Sequence, residues 1–263
     1  MRDHKVIKDY LWPMKQNPES QWFGERPVSP EDKTKLVQGV FDSVAENYDI
    51  MNDLMSGGVH RIWKDRLIRM IRPKSHERFL DVAGGTGDIA FRIRKAAGKG
   101  TDITICDLDE AMVSVGRDRA IDRGWVNDFT WTTGNAETLP FPDNHFDVYT
   151  ISFGLRNVTR IDTALREAHR VLKPGGRFFC LEFSHVNEPF LAKIYDAYSY
   201  TVIPRIGQAV AKDRDSYQYL VESIRKFPKQ KELQRRLGEA GFSNPRYQNL
   251  SFGISAIHSG WKV

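Results

Sequence analysis

The chain predicts an α/β fold: a doubly wound, mostly parallel seven-stranded sheet that ends in an antiparallel C-terminal hairpin and is preceded by a helical cap. Three observations carry this. From residue 77 onward, strand-like apolar runs alternate with amphipathic helical stretches, the pattern of parallel strands joined by crossover helices. A glycine loop, DVAGGTGD at 81–88, joins one such strand to the helix after it. Two extended runs at the end, 245–250 and 253–258, follow each other without a helix between them, as a hairpin requires.

Taken in order, residues 1–30 hold Pro13, Pro18, Pro27 and Pro30 among polar residues and read as a loosely ordered arm. One domain spans 31–263, with a helical substrate cap at 31–73 and a core at 77–263 that carries an inserted lid at about 188–226. In the cap, Val37, Val40, Phe41 and Val44 recur at helical spacing, as do Ile62, Trp63, Leu67 and Met70 before the stop at Pro73. Strands are expected at 77–82, 103–106, 129–133, 146–151 and 177–184. Helices are expected at 87–97, 109–122, 162–172 and 229–240, the last stopped by Gly241.

The 263 residues, 40% hydrophobic and 28% charged, are enough for one good core. No run approaches the roughly 18 apolar residues of a membrane span, and the N-terminus has no apolar signal core. A cytoplasmic protein is expected, with room for peripheral contact on the inner membrane face. Cys106 and Cys180 lie in apolar runs without metal-ligand spacing, and the seven histidines are scattered, so no metal is expected. The net charge of +5 mildly favours acidic partners. It is concentrated in Arg61, Lys64, Arg66, Arg69, Arg72 and Lys74, and in Arg225, Lys226, Lys229, Lys231, Arg235 and Arg236, which read as solvated helix faces.

Gly84, Gly85 and Gly87 tolerate positive φ and let a ligand approach the backbone beside the free N–H groups of the next helix. Asp107 ends the second strand 20 residues past Gly87, where doubly wound sheets place a carboxylate on a ribose. The string GTGDIA at 85–90 also satisfies the dinucleotide fingerprint, so a nicotinamide cofactor has to be weighed. Asp81 argues against it, because a carboxylate beside the loop repels a pyrophosphate but suits an ammonium group or a water. Ser152, just past the fourth strand, falls where the crevice of such a sheet opens.

GNAETLPF at 134–141 and REAHRVLKPGG at 166–176 resemble stretches of class I methyltransferases, a likeness that covers residues 77–184. It implies a Rossmann-like sheet and S-adenosyl-L-methionine as cofactor. The loop and Thr86 would then hold the methionine portion, Asp107 the ribose, and Asn135 with Ala136 the adenine. YDIMNDLMSGGVHRIW at 48–63, FGLRN at 153–157 and RVLKPGGRFFCLEFS at 170–184 are similar to signatures of the UbiE-type C-methyltransferases of ubiquinone and menaquinone biosynthesis. This second likeness spans residues 36–260. It implies methylation of a polyprenylated quinol on a ring carbon: demethylmenaquinol to menaquinol, and 2-methoxy-6-polyprenyl-1,4-benzoquinol to its methylated product.

A neutral quinol carbon is a weak nucleophile, and a phenol loses its proton only near a pKa of about 10, so a site must favour the phenolate. Arg156 and Asn157 are the candidates for holding that oxyanion. Tyr48, Asp49 and His60 are candidates for binding or deprotonating the other hydroxyl, with His60 nearest in natural pKa to a general base. The aromatic run from Phe190 to Ile206 suits a lid facing the isoprenoid or lipid, and with the basic clusters it suggests contact with an anionic membrane. No nucleic-acid partner is expected: Ser152 to Leu155 lacks the Asp/Asn-Pro-Pro-Tyr-like tetrad of nucleic-acid aminomethyltransferases. A small-molecule O- or N-methyltransferase and a nonenzymatic subunit are the competing readings. A homodimer or a quinone-biosynthesis complex is left open.

Overall fold

The computed structural model describes residues 21–24, 26–44, 53, 56–186, 188, 201, 205 and 214–263. Two short strands, β1 (Gln21–Phe23) and β2 (Arg26–Val28), pair antiparallel, and helix α1 (Pro30–Val44) follows. The end of the expected arm is thus docked. Phe23 is buried and stacks on Tyr219 with ring centroids 4.3 Å apart, which ties this hairpin to the far end of the chain. Helix α2 (His60–Ile71) buries His60, Trp63, Lys64, Leu67 and Ile71. Ile62, which the pattern assigned to the apolar face, is instead 61% exposed, because Ile71 and not Ile62 shares the stripe of Trp63 and Leu67.

The core then alternates as expected: β3 (Arg78–Val82), α3 (Asp88–Ala97), β4 (Asp102–Asp107), α4 (Glu110–Ile121), β5 (Thr130–Thr133), β6 (Phe146–Ser152), α5 (Ile161–Val171) and β7 (Leu172–Phe183). Strand β7 begins five residues before the expected 177. Its register against β6 jumps from Phe146↔Leu172 to Val148↔Arg177, so Lys173 to Gly176 form a bulge that pairs with the chain end through Gly175 and Lys262. Helices α6 (Arg214–Lys226) and α7 (Gln230–Glu239) lead into β8 (Ser243–Leu250) and β9 (Ser255–Trp261). The described end of the segment read as a lid is therefore a packed helix: α6 buries Tyr217, Tyr219, Leu220, Val221 and Ile224.

Strand order is β5-β4-β3-β6-β7-β9-β8, parallel from β5 to β7 and antiparallel across β9 and β8. Alternate residues of each strand serve opposite faces. Phe79, Ile103, Val148 and Phe179 pack with α1, α2, α3 and α6, whereas Leu80, Cys106, Tyr149 and Phe178 pack with α5 and α7. Both cysteines are buried thiols. Because the chain winds outward from β3 in one direction and from β6 in the other, a crevice opens at the carboxyl ends of these two strands.

Candidate active site

The crevice holds a cavity with about 1080 Å3 of empty space, counting its open mouth. Its floor is built from two tight departures. After β3 the backbone turns through Ala83 at φ 50°, and after β6 through Phe153 at φ 56°; both are non-glycine residues in the left-handed region. A Cβ on Gly154 would lie 2.3 Å from that of Ala83, so the two strand ends meet with no side chain between them. Gly84 is equally confined: a Cβ there would approach Ile105 Cγ2 to 2.7 Å and the Asp81 carbonyl to 3.0 Å.

Charge is arranged around this floor. Asp81 is 1% exposed; Oδ1 accepts from the Thr150 hydroxyl at 2.7 Å, while Oδ2 has no hydrogen-bond partner among the described residues. Burial lifts its carboxyl to about 7. Asp107 Oδ2 accepts the Gly85 N–H at 2.7 Å and Oδ1 the Asp109 N–H at 3.0 Å. Burial outweighs these N–H groups and raises Asp107 to about 6. The Ser152 hydroxyl, also on the wall, has no partner among the described residues. Thr86 Oγ1 accepts from Arg119 at 3.0 Å, and Asn135 Oδ1 accepts the Glu137 N–H at 2.9 Å. From the helical cap, Lys64 reaches in: its ammonium is buried, donates to Asp88 Oδ2 at 2.7 Å, and lies 5.7 Å from the Phe153 ring centroid. Burial disfavours the Asp88 carboxylate, but Lys64 and Arg92 outweigh that and hold its pKa below the usual range.

Comparison with known proteins places this architecture. The model of the ubiE/COQ5 methyltransferase family matches residues 28–262. The chain belongs to this family. It is 57% identical over 244 residues to the ubiquinone/menaquinone biosynthesis C-methyltransferase UbiE of Rhodopseudomonas palustris (strain HaA2), covering 92% of this chain and 96% of that protein. To the protein of the same name from Brucella abortus (strain S19) it is 54% identical over 243 residues, covering 92% and 90%. Among solved structures, a SAM-dependent methyltransferase from Thermotoga maritima superposes with a TM-score of 0.63 over 86% of this chain and all of that one. At 18% identity, that likeness speaks for the fold alone.

As a ubiE/COQ5 family member the chain is a methyltransferase that uses S-adenosyl-L-methionine, and the cavity fits that group. The orphaned Asp81 Oδ2 and Ser152 hydroxyl need polar partners from whatever fills the space, since a buried polar atom left unpaired is costly. Of the residues singled out from the sequence, Asp81, Gly84, Gly85, Thr86, Asp107, Asn135, Ala136, Ser152 and Asn157 line the cavity. Gly87 does not line it; at φ 84° it caps α3, where a Cβ would strike Phe91 at 2.9 Å.

Three expectations need correction. Arg156 is absent from this cavity wall. It is 4% exposed, and its Nη1 donates to Glu182 Oε1 and to the Phe153 carbonyl, each at 2.6 Å. The carboxylate on neighbouring β7 draws the guanidinium away from this cavity, so Arg156 holds the turn Leu155–Asn157 in place. His60 is likewise turned away: it is 2% exposed, with Nε2 2.8 Å from Asp53 Oδ1. Burial and nearby Lys64 lower its pKa despite Asp53, which keeps it neutral. Lys64, assigned to a solvated basic face, is a cavity residue. Its signal was present, since positions 60, 63, 64, 67 and 71 share one helix stripe and a lysine on that stripe points inward. Tyr48 and Asp49 lie outside the described residues, as does most of the aromatic run 190–206.

Proposed function

We propose that this protein transfers a methyl group from S-adenosyl-L-methionine to a ring carbon of a polyprenylated quinol, converting demethylmenaquinol to menaquinol and methylating 2-methoxy-6-polyprenyl-1,4-benzoquinol. Family membership over residues 28–262 carries the reading. The cofactor supplies an already activated methyl on a sulfonium. The protein's part is to hold that group and to favour the phenolate of the acceptor.

Asp81, once ionised, suits the cofactor's ammonium, and Lys64 suits its carboxylate, opposite charges at the end of the cavity next to the glycine loop. Asp107 suits the ribose hydroxyls, already oriented by the Gly85 and Asp109 N–H groups; Asn135 and Ala136 flank the adenine. Asn157 is the acceptor-side contact. Its Oδ1 is held by the Tyr219 hydroxyl at 3.1 Å, which leaves the amide nitrogen to donate toward an oxyanion, its present bond to the Phe153 carbonyl being long at 3.5 Å. Arg156 supports that contact from behind through Glu182, as a positioning residue. Tyr48 and Asp49 keep their assignment to the second hydroxyl.

Incubation with labelled S-adenosyl-L-methionine and a panel of demethylated naphthoquinols and benzoquinols tests the proposal. Methyl label on the ring carbon of both is expected; label on oxygen alone, or on neither ring, would overturn it. We also propose peripheral contact with anionic membrane where the acceptor resides. Exposed Arg61 and Arg69 on α2 and Arg72 just past its end support it, and among the described residues no helix is long and apolar enough to cross a membrane. Salt-sensitive sedimentation with anionic liposomes is the expected result, and no association at low salt would refute it.

A further inference from the structure

A second cleft, of about 1070 Å3, lies behind the segment Asn157–Thr159, and Val158 and Thr159 line both it and the cofactor cavity. Its walls come from α1, the start of α5, the end of α6 and Trp22 of the N-terminal hairpin. The charge on these walls is one-sided. Among the described residues Asp162 is the one carboxylate lining the cleft. Against it stand Arg156, paired with Glu182, Arg160, paired with Glu137, and Arg236, paired with Glu232 and Asp162.

Three more cations have no carboxylate within ion-pair distance among the described residues: Lys33, Arg166 and Lys226. Lys33 is 7% exposed, and its ammonium, which carries three donors, spends one on the Val158 carbonyl at 3.0 Å. Burial pulls its pKa down to about 8 even with Glu137 nearby, the mark of a cation short of counter-charge. Lys226 rests 3.8 Å from the centroid of the Trp22 ring, and Arg166 donates to the Thr163 hydroxyl at 3.2 Å. Helix α5 starts on this wall, where Glu137 Oε1 accepts the Thr159 and Arg160 N–H groups at 3.0 and 2.9 Å.

We propose that this cleft is a binding site for a phosphate ester. Arginine forks and ammonium groups converging on one space match phosphate oxygens. Trp22, Tyr219, Phe227 and Pro228 give the organic part of the ester an apolar wall. Apart from the shared Val158 and Thr159, the cleft is lined by residues outside the cofactor cavity, so the inference does not depend on which acceptor is methylated. The same phosphate chemistry could be presented by a soluble ester or by a phospholipid headgroup, and the two are separable by experiment.

The test uses the full chain and the double variant Arg166→Gln/Lys226→Gln, both side chains being exposed and outside the cofactor site. Calorimetric titration with glycerol phosphate and sedimentation with phosphatidylglycerol and phosphatidylcholine vesicles are read side by side, with S-adenosyl-L-methionine binding and thermal unfolding as controls. Saturable glycerol phosphate binding, weakened about tenfold or more in the variant while the controls stay unchanged, supports a soluble ester. Phosphatidylglycerol pelleting that is lost in the variant supports the headgroup. If neither glycerol phosphate nor phosphatidylglycerol binding responds to the double substitution, the proposal is overturned.

Discussion

Replacing Arg156 with methionine leaves Glu182 buried, 1% exposed, without its counter-ion. Two backbone N–H groups, those of Arg156 at 3.3 Å and Phe183 at 2.9 Å, still face the carboxylate, so the loss is that of the ion pair and not of all solvation. Breaking a buried pair from one side costs about 3–5 kcal/mol. At roughly 2–4 °C per kcal/mol for a chain of this size, the melting temperature should fall by about 6–20 °C. The carboxyl is already raised by burial against the pull of Arg156, and without Arg156 it rises further. An acid whose folded pKa is raised contributes stability at low pH and loses it as pH climbs toward that pKa, so the penalty should be smaller at pH 5 than at pH 8. Glu182→Leu alone should also destabilise, whereas Arg156→Met/Glu182→Leu should recover most of either loss, since an apolar pair of similar volume is often neutral. Urea titrations of the four proteins at both pH values measure the coupling. Additive losses, or a penalty for Arg156→Met that stays below about 1 kcal/mol at pH 8, would refute the reasoning.

Other outcomes follow from the same geometry. With Asp81 at about 7 before a ligand binds, cofactor affinity should rise about tenfold between pH 6 and pH 8, and Asp81→Asn should flatten the profile; calorimetry in two buffers of different ionisation heat reads the released proton. By the same sign, Asp81 makes the ligand-free protein lose stability as pH rises from about 4 toward 7, a slope that Asp81→Asn should remove from urea midpoints measured across that range. Lys64→Met should weaken cofactor binding about 10- to 100-fold, the worth of a charged hydrogen bond, while Arg92 keeps Asp88 paired; unchanged binding removes Lys64 from the site. Gly154→Ala must push apart two strand ends whose Cβ atoms would sit 2.3 Å from each other, and should cost about 1–3 kcal/mol by thermal unfolding together with cofactor affinity.

Much of this was legible in the sequence because it is local. The loop at 81–88 and Asp107 come at the ends of strands marked by apolar runs, Asn135 with Ala136 follows the β-prone Thr130–Thr133, and a doubly wound sheet brings all such strand ends to one crevice. What escaped depends on partners distant in sequence. Arg156 was read as facing a ligand because its partner Glu182 lies 26 residues away on the next strand, and that pairing appears only when β6 and β7 lie side by side. The hairpin 21–28 looked like arm because its anchor, Phe23 on Tyr219, spans nearly 200 residues. The bulge Lys173 to Gly176 hid the true start of β7, since Pro174 and the two glycines signal a turn when read alone.

The partition formed by Val158 and Thr159 has one face toward the cofactor and the other toward the cationic cleft. Two ligands that share a wall are linked by thermodynamics whatever path the influence takes. If filling the outer cleft tightens or loosens the grip on S-adenosyl-L-methionine by some factor, the cofactor changes affinity for the outer ligand by that same factor. A single strip of main chain, just past the strand that bounds the crevice, is thus the place where supply of methyl donor and occupancy of the outer cleft would be felt by each other.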